Sequence, residues 1–130
     1  MGVLIRPTIP SDLPAVIGEP LPFRVRTVTL LVDDEVKAIG GLAFPPDGPV
    51  CAFMQQTDDL KRYPIAIHRA GFAGMALIRE SGLREIVATA ESANTKALRW
   101  LRHFGFVESH QQPVDGKVIF FWVRPCDTAP

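Results

Sequence analysis

At 130 residues the chain is long enough for a single domain, residues 1–130, that buries roughly two-thirds of its unfolded surface without disulfides or metals. Fourteen basic and fourteen acidic residues cancel, which removes the overall field expected of a nucleic-acid or anionic-membrane binder. With 47% hydrophobic and 22% charged residues, no apolar stretch of signal-peptide length and nothing approaching about 18 apolar residues in a row, the composition predicts a globular cytoplasmic protein with no membrane partner.

In chain order, Val3 to Arg6 reads as a short first strand. Ser11 or Asp12 caps a brief helix with Pro14 in its first turn, and Pro20 and Pro22 keep that helix from running on. Arg24 to Val32 and Glu35 to Phe44, separated by Asp33-Asp34, form an antiparallel hairpin. Gly40-Gly41 inside the second of these strands signals a bulge or a close backbone approach. After the Pro45–Pro49 turn, a fourth strand runs from Val50 to Gln56. Pro64 opens a helix that extends to Ser81 and stops at Gly82, its buried face drawn from Ile67, Ala70, Gly71, Gly74, Leu77 and Ile78. Arg84 to Ala90 is a strand, Asn94 starts a shorter helix ending at Gly105, and Val107–His110 and Lys117–Val123 form a final pair around a Pro113–Gly116 loop.

Cys51 and Cys126 stand far apart and outside any metal-type spacing, and His68, His103 and His110 form no HxxxH pattern, so no metal is expected. Cys51 reads as a small buried hydrophobe and Cys126 as an exposed thiol. Within the Asn94 helix, Ala97, Leu101 and Phe104 form an apolar stripe broadened by Leu98 and Trp100. Lys96, Arg99 and His103 occupy another face with Arg102 at its side. That face is a solvated basic surface, and the zero net charge argues against a nucleic-acid role for it.

Asn94, Ala97, Gly105 and Phe106 fall at the spacing of the N-x-x-A-…-G-F segment in which the chain resembles the GCN5-related N-acetyltransferases (GNAT proteins). The resemblance covers about residues 50 to 123. It implies an α+β, three-layer α/β/α fold with a mixed, mostly antiparallel central sheet of about six to seven strands, whose fourth and fifth strands run parallel and splay apart. It also implies acetyl-CoA as acyl donor, an amine on a small molecule or a protein as acceptor, and Asn94 with the backbone of Met54, Gln55 and Gln56 beside the pantetheine arm.

Two departures accompany the match. The family's general-acid tyrosine, seven residues after the Asn, is Leu101, which cannot donate a proton. The family's Q/R-x-x-G-x-G/A pyrophosphate loop reads Arg62-Tyr63-Pro64-Ile65-Ala66-Ile67, where Arg62 matches the first position and both glycines are isoleucine. Two lost charge-assisted contacts of roughly 1.5–3 kcal/mol each weaken cofactor binding by roughly 10²–10⁴-fold. His68-Arg69-Ala70-Gly71-Phe72-Ala73 fits the loop pattern literally but reads as helix interior.

Asp58 and Asp59 read as capping residues or as a base if their loop folds back. Tyr63 reads as packing, a wall for adenine or a proton donor, and catalytic residues are left unassigned. The run Arg99-Trp100-Leu101 with Gly105-Phe106 is similar to small phage-encoded GNAT-like proteins. That similarity implies a second role, in which an inactive GNAT-shaped protein self-associates or binds a virion component through an apolar patch at Trp122 or Phe121 on a sheet edge.

Overall fold

A computed structural model describes residues 2–18 and 23–125. Seven strands form one sheet in the order β1-β2-β3-β4-β5-β7-β6. They are β1 (Val3–Pro7), β2 (Arg24–Val32), β3 (Glu35–Phe44), β4 (Cys51–Gln56), β5 (Glu85–Glu91), β6 (Val107–Glu108) and β7 (Lys117–Val123), with helices α1 (Pro64–Ser81) and α2 (Thr95–His103). All strand pairs are antiparallel except β4–β5. This is the mixed α+β architecture expected from the sequence.

The β2–β3 hairpin turns through Asp33 (φ 50°) and Asp34 (φ 67°), the two left-handed residues that a two-residue hairpin loop needs. Its ladder is continuous from Arg24↔Phe44 to Val32↔Glu35, with one bulge between Leu30 and Leu31. The glycine pair therefore marks a close approach and the bulge sits elsewhere. A Cβ on Gly41 (φ 153°) would run into the Arg26 carbonyl of β2. Between β6 and β7, Asp115 and Gly116 make a second turn of the same kind, and β6 ends at Glu108, two residues short of the expected His110.

Helix α1 keeps its predicted bounds. Pro64 stands in the first turn, Gly82 (φ 74°) closes it, and the Arg124 guanidinium donates to the carbonyls of Ile78, Arg79 and Leu83 at its end. Its buried residues are Ala66, Gly71, Met75, Leu77 and Ile78; Ala66 and Met75 replace Ile67, Ala70 and Gly74, which are half-buried. At Gly71 the two helices meet, since a Cβ there would overlap the Phe104 ring and press on Trp100.

Both helices pack on one face of the sheet. Ala52, Met54 and Gln56 of β4 share that face with Leu42, Gly40 and Ala38 of β3, as do Ala88 and Ala90 of β5. The opposite face is covered over β2 and β3 by the 3-10 turn Pro10–Ala15. Asp12 was expected as an N-cap, with Ser11 as the alternative. It sits inside that turn instead, 3% exposed, and its carboxylate accepts from the Ile9 N–H (2.9 Å), the Thr29 hydroxyl (2.8 Å) and both arms of Arg6 (2.7 and 2.9 Å). The Arg6 guanidinium, aided by Ile9 and Thr29, holds this carboxyl well below the usual carboxylate range against the opposing effect of burial. Pro20 and Pro22 lie outside the described residues.

The core divides into two clusters. One joins Met75 and Ile78 of α1 to Leu101, Phe106, Ile86, Phe120 and Trp122; the other joins Leu30, Val32 and Ala38 to Leu60 and Ala66. Trp122 is therefore core, 6% exposed, because β7 lies between β5 and β6 and not at the edge expected from chain order. Phe121 is half-buried on the other face of the same interior strand.

Candidate active site

Strands β4 and β5 pair at one position, the first residue of β4 and the third of β5. The single registered pair is Cys51↔Val87, and the Val87 N–H donates to the Val50 carbonyl at 3.0 Å. Beyond that rung they diverge. Strand alternation then fixes which backbone groups face the gap: those of Ala52 and Met54 on β4, and those of Thr89 on β5. The Met54 and Thr89 groups have no strand partner, because β3 and β7 bond the other edges of these strands.

The gap opens into a cavity of about 430 Å³ that passes through the sheet. On the helical side its walls include Ala52, Met54, Gln56, Ala88, Ala90, Met75 and Ile78; on the far side they include Gly41, Phe53, Gln55, Thr89 and Glu91. Helix α2 closes one flank with Asn94, Ala97, Trp100, Leu101 and Phe104.

Four of the five residues singled out in the sequence come together here: Met54, Gln55, Gln56 and Asn94 all line the cavity, and Arg62 does not. Asn94 caps α2, its side-chain oxygen accepting from the Ala97 N–H at 3.1 Å. That leaves its carboxamide NH2 with no acceptor among the described residues. Arg62 is exposed in the last turn of the 3-10 segment Asp58–Arg62, before α1. The first turn of α1 leaves the Ile65 and Ala66 N–H groups without carbonyl partners, and neither residue is on the cavity wall.

Asp59 is taken up elsewhere. It accepts from Lys37 (2.6 Å) and from the Thr57 hydroxyl (2.6 Å), which hold its carboxyl below the ordinary range, while Asp59 and then Glu35 raise the Lys37 ammonium. Tyr63 packs against the Leu30–Ala66 cluster and is not on the wall. The His68–Ala73 segment lies wholly within α1, as expected. Cys51, half-buried, lies beside the vertex of the gap, where burial pushes its thiol up; Cys126 lies outside the described residues.

Two cavity features escaped the sequence reading. Glu91 is the only ionisable side chain on the wall among the described residues, and its carboxylate has no hydrogen-bond or ion-pair partner among them. Its position three residues before Asn94 was the available signal. The second is Trp100, whose half-buried indole lines the cavity with its Nε1 enclosed and unpaired. Among the described residues no group of three or more His, Cys, Asp or Glu could hold a metal ion, and no helix is long and apolar enough to cross a membrane.

The fold that holds this site recurs in solved structures. The Escherichia coli ribosomal-protein-S18-alanine N-acetyltransferase superposes with TM-score 0.71 at 15% identity over 99% of both chains. A GCN5-related N-acetyltransferase from Kribbella flavida gives 0.73 at 14% identity, over 94% of this chain and 98% of that one. The Salmonella typhimurium protein yncA, solved with its cofactor acetyl-CoA, gives 0.76 at 13% identity, over 100% of this chain and 98% of that one. The fold is the GNAT fold. No protein-family model and no curated protein sequence matches the chain. At these identities the likeness to GNAT structures speaks for architecture, and the chemistry has to be argued from the site.

Proposed function

We propose that the protein is an acyl-CoA-dependent N-acyltransferase with a reduced phosphate site, using acetyl-CoA or a related thioester as its acyl donor. The open β4–β5 gap carries this reading. Its unpaired Met54 and Thr89 backbone groups suit the amides of a pantetheine arm, its apolar walls suit the methylenes between them, and the Asn94 carboxamide adds a donor at the flank. A glycine-type pyrophosphate grip has no counterpart here. Neither Arg62 nor the first turn of α1 reaches the wall, so the phosphates would be held weakly and near solvent.

In the transfer, the acceptor amine nitrogen attacks the thioester carbonyl carbon, an N–C bond forms and the C–S bond breaks. Glu91, projecting to the far face with Thr89, holds the ammonium of the incoming acceptor and takes its proton. The departing thiolate is protonated from solvent, because Leu101 stands where a proton donor would serve it. Positioning within the gap supplies most of the rate.

Thermal unfolding with and without acetyl-CoA tests the reading. A rise in Tm at millimolar acetyl-CoA is expected, together with slow acetylation of a simple primary amine. No change in Tm at that concentration overturns the proposal. The assembly role draws on Val107 (67% exposed) and Val123 (64% exposed), which lie near each other on the far face of β6 and β7. Trp122 cannot contribute to such a surface. A strictly monomeric protein with ordinary acetyl transfer removes this second reading.

A further inference from the structure

On the helical side the cavity wall extends past the splay, as a limb that runs sideways beneath α1. Two registered rows cross the sheet there: Gln56–Ala38–Leu30–Ile5 and Met54–Gly40–Val28. All seven residues are on the cavity wall, so the limb reaches from β4 to β1, three strand spacings or about 14 Å. Its roof is α1 at Ala70 and Gly74, and a Cβ built on Gly74 meets nothing within 4 Å. Past Gln56 the limb presents no polar side chain, and an ordered water needs two to four polar partners. Leu30 and Ala38 of its floor belong to the second core cluster, against which Ile5, Met54 and Ala70 also pack.

We infer that this limb holds the hydrocarbon chain of an acyl thioester longer than acetyl, so that the donor is a medium-chain acyl-CoA. The inference rests on the acyltransferase reading and specifies its substrate. The chain belongs to the donor for a reason of position. The limb begins at Met54 and Gln56, the edge along which the thioester arm would lie, on the helical side. The one carboxylate on the wall among the described residues, Glu91, stands on the opposite strand and projects to the opposite face.

Binding of CoA, acetyl-CoA, butyryl-CoA and hexanoyl-CoA to the wild-type protein, followed by calorimetry, tests this directly. Each buried methylene tightens binding about fourfold, so hexanoyl-CoA should bind on the order of a hundredfold more tightly than acetyl-CoA. Gly74→Leu, which adds a side chain to open space while removing a helix-interior glycine, should abolish that gain, and Ala70→Leu should do the same from the neighbouring turn. Acetyl-CoA binding with no tightening along the series overturns the inference and leaves the acyltransferase reading standing. So does a gain that survives both substitutions, or one seen with hexylamine instead of hexanoyl-CoA, which would assign the limb to the acceptor. Failure of every thioester to bind removes the acyltransferase reading and this inference together.

Discussion

The two halves of the sheet are built to opposite ends. From β1 to β4 every strand is paired along its length, the hairpin ladder runs unbroken apart from one bulge, and a buried carboxylate ties β1, β2 and the 3-10 turn together. Between β4 and β5 one rung is made and the rest are withheld. Full pairing satisfies the backbone internally and leaves nothing for a ligand. The splay leaves backbone donors and acceptors facing a cavity, which a protein tolerates where something else satisfies them. Substitutions in the first half should therefore cost stability, and substitutions around the gap should cost binding.

The largest expected effects are at Asp12 and Gly41. Asp12→Ala removes the buried partner of the half-buried Arg6, leaves the Ile9 N–H unpaired and leaves Thr29 with Thr8 alone, and should lower unfolding free energy by about 3 kcal/mol in urea denaturation. Gly41→Ala comes next. It forces a Cβ against the Arg26 carbonyl at a φ that L-residues avoid, for a loss of about 3 kcal/mol by the same measurement.

Acid should act on the same half. The Asp12 and Asp59 carboxyls are held below their unfolded values, so their stabilisation is complete above about pH 4 and is lost as pH falls towards the folded values. The urea midpoint should drop below pH 4 in the wild type, and Asp12→Ala should flatten part of that drop. At the gap the effects on stability are small. Asn94→Ala loses the α2 cap, about 1 kcal/mol, and should weaken acetyl-CoA binding by more than the cap alone explains. Glu91→Gln should leave the unfolding midpoint within about 0.5 kcal/mol of wild type, since the side chain is exposed, and lower acetyl transfer without changing acetyl-CoA affinity.

Sequence reading succeeded where local chemistry decides. The hairpin bounds followed from Asp33-Asp34, and those of α1 from Pro64 and Gly82, since each residue type has few backbone conformations open to it. Asn94 was legible as a helix start with a family spacing, and the structure makes it the cap. What escaped depends on contacts distant in sequence. Asp12 looked like a cap because Arg6 and Thr29 join it only when the sheet forms. Trp122 looked like an edge residue because the insertion of β7 between β5 and β6 leaves no mark in the alternation of the strand. Arg62 matched a motif position, yet the intervening 3-10 turn carries it away from the wall. The limb under α1 is defined by volume that side chains do not fill, and absent volume has no letter in the sequence.

The lone rung from Val87 to Val50 has a mechanical consequence. Among the described residues it is the one backbone rung between two panels of sheet, and on the helical side the α1–α2 contact at Gly71 and the core around Met75 and Ile78 bridge them as well. The Met54 and Thr89 amides should then exchange with deuterium quickly in the free protein, far faster than those of the β2–β3 ladder. A molecule wedged between the panels would slow both at once.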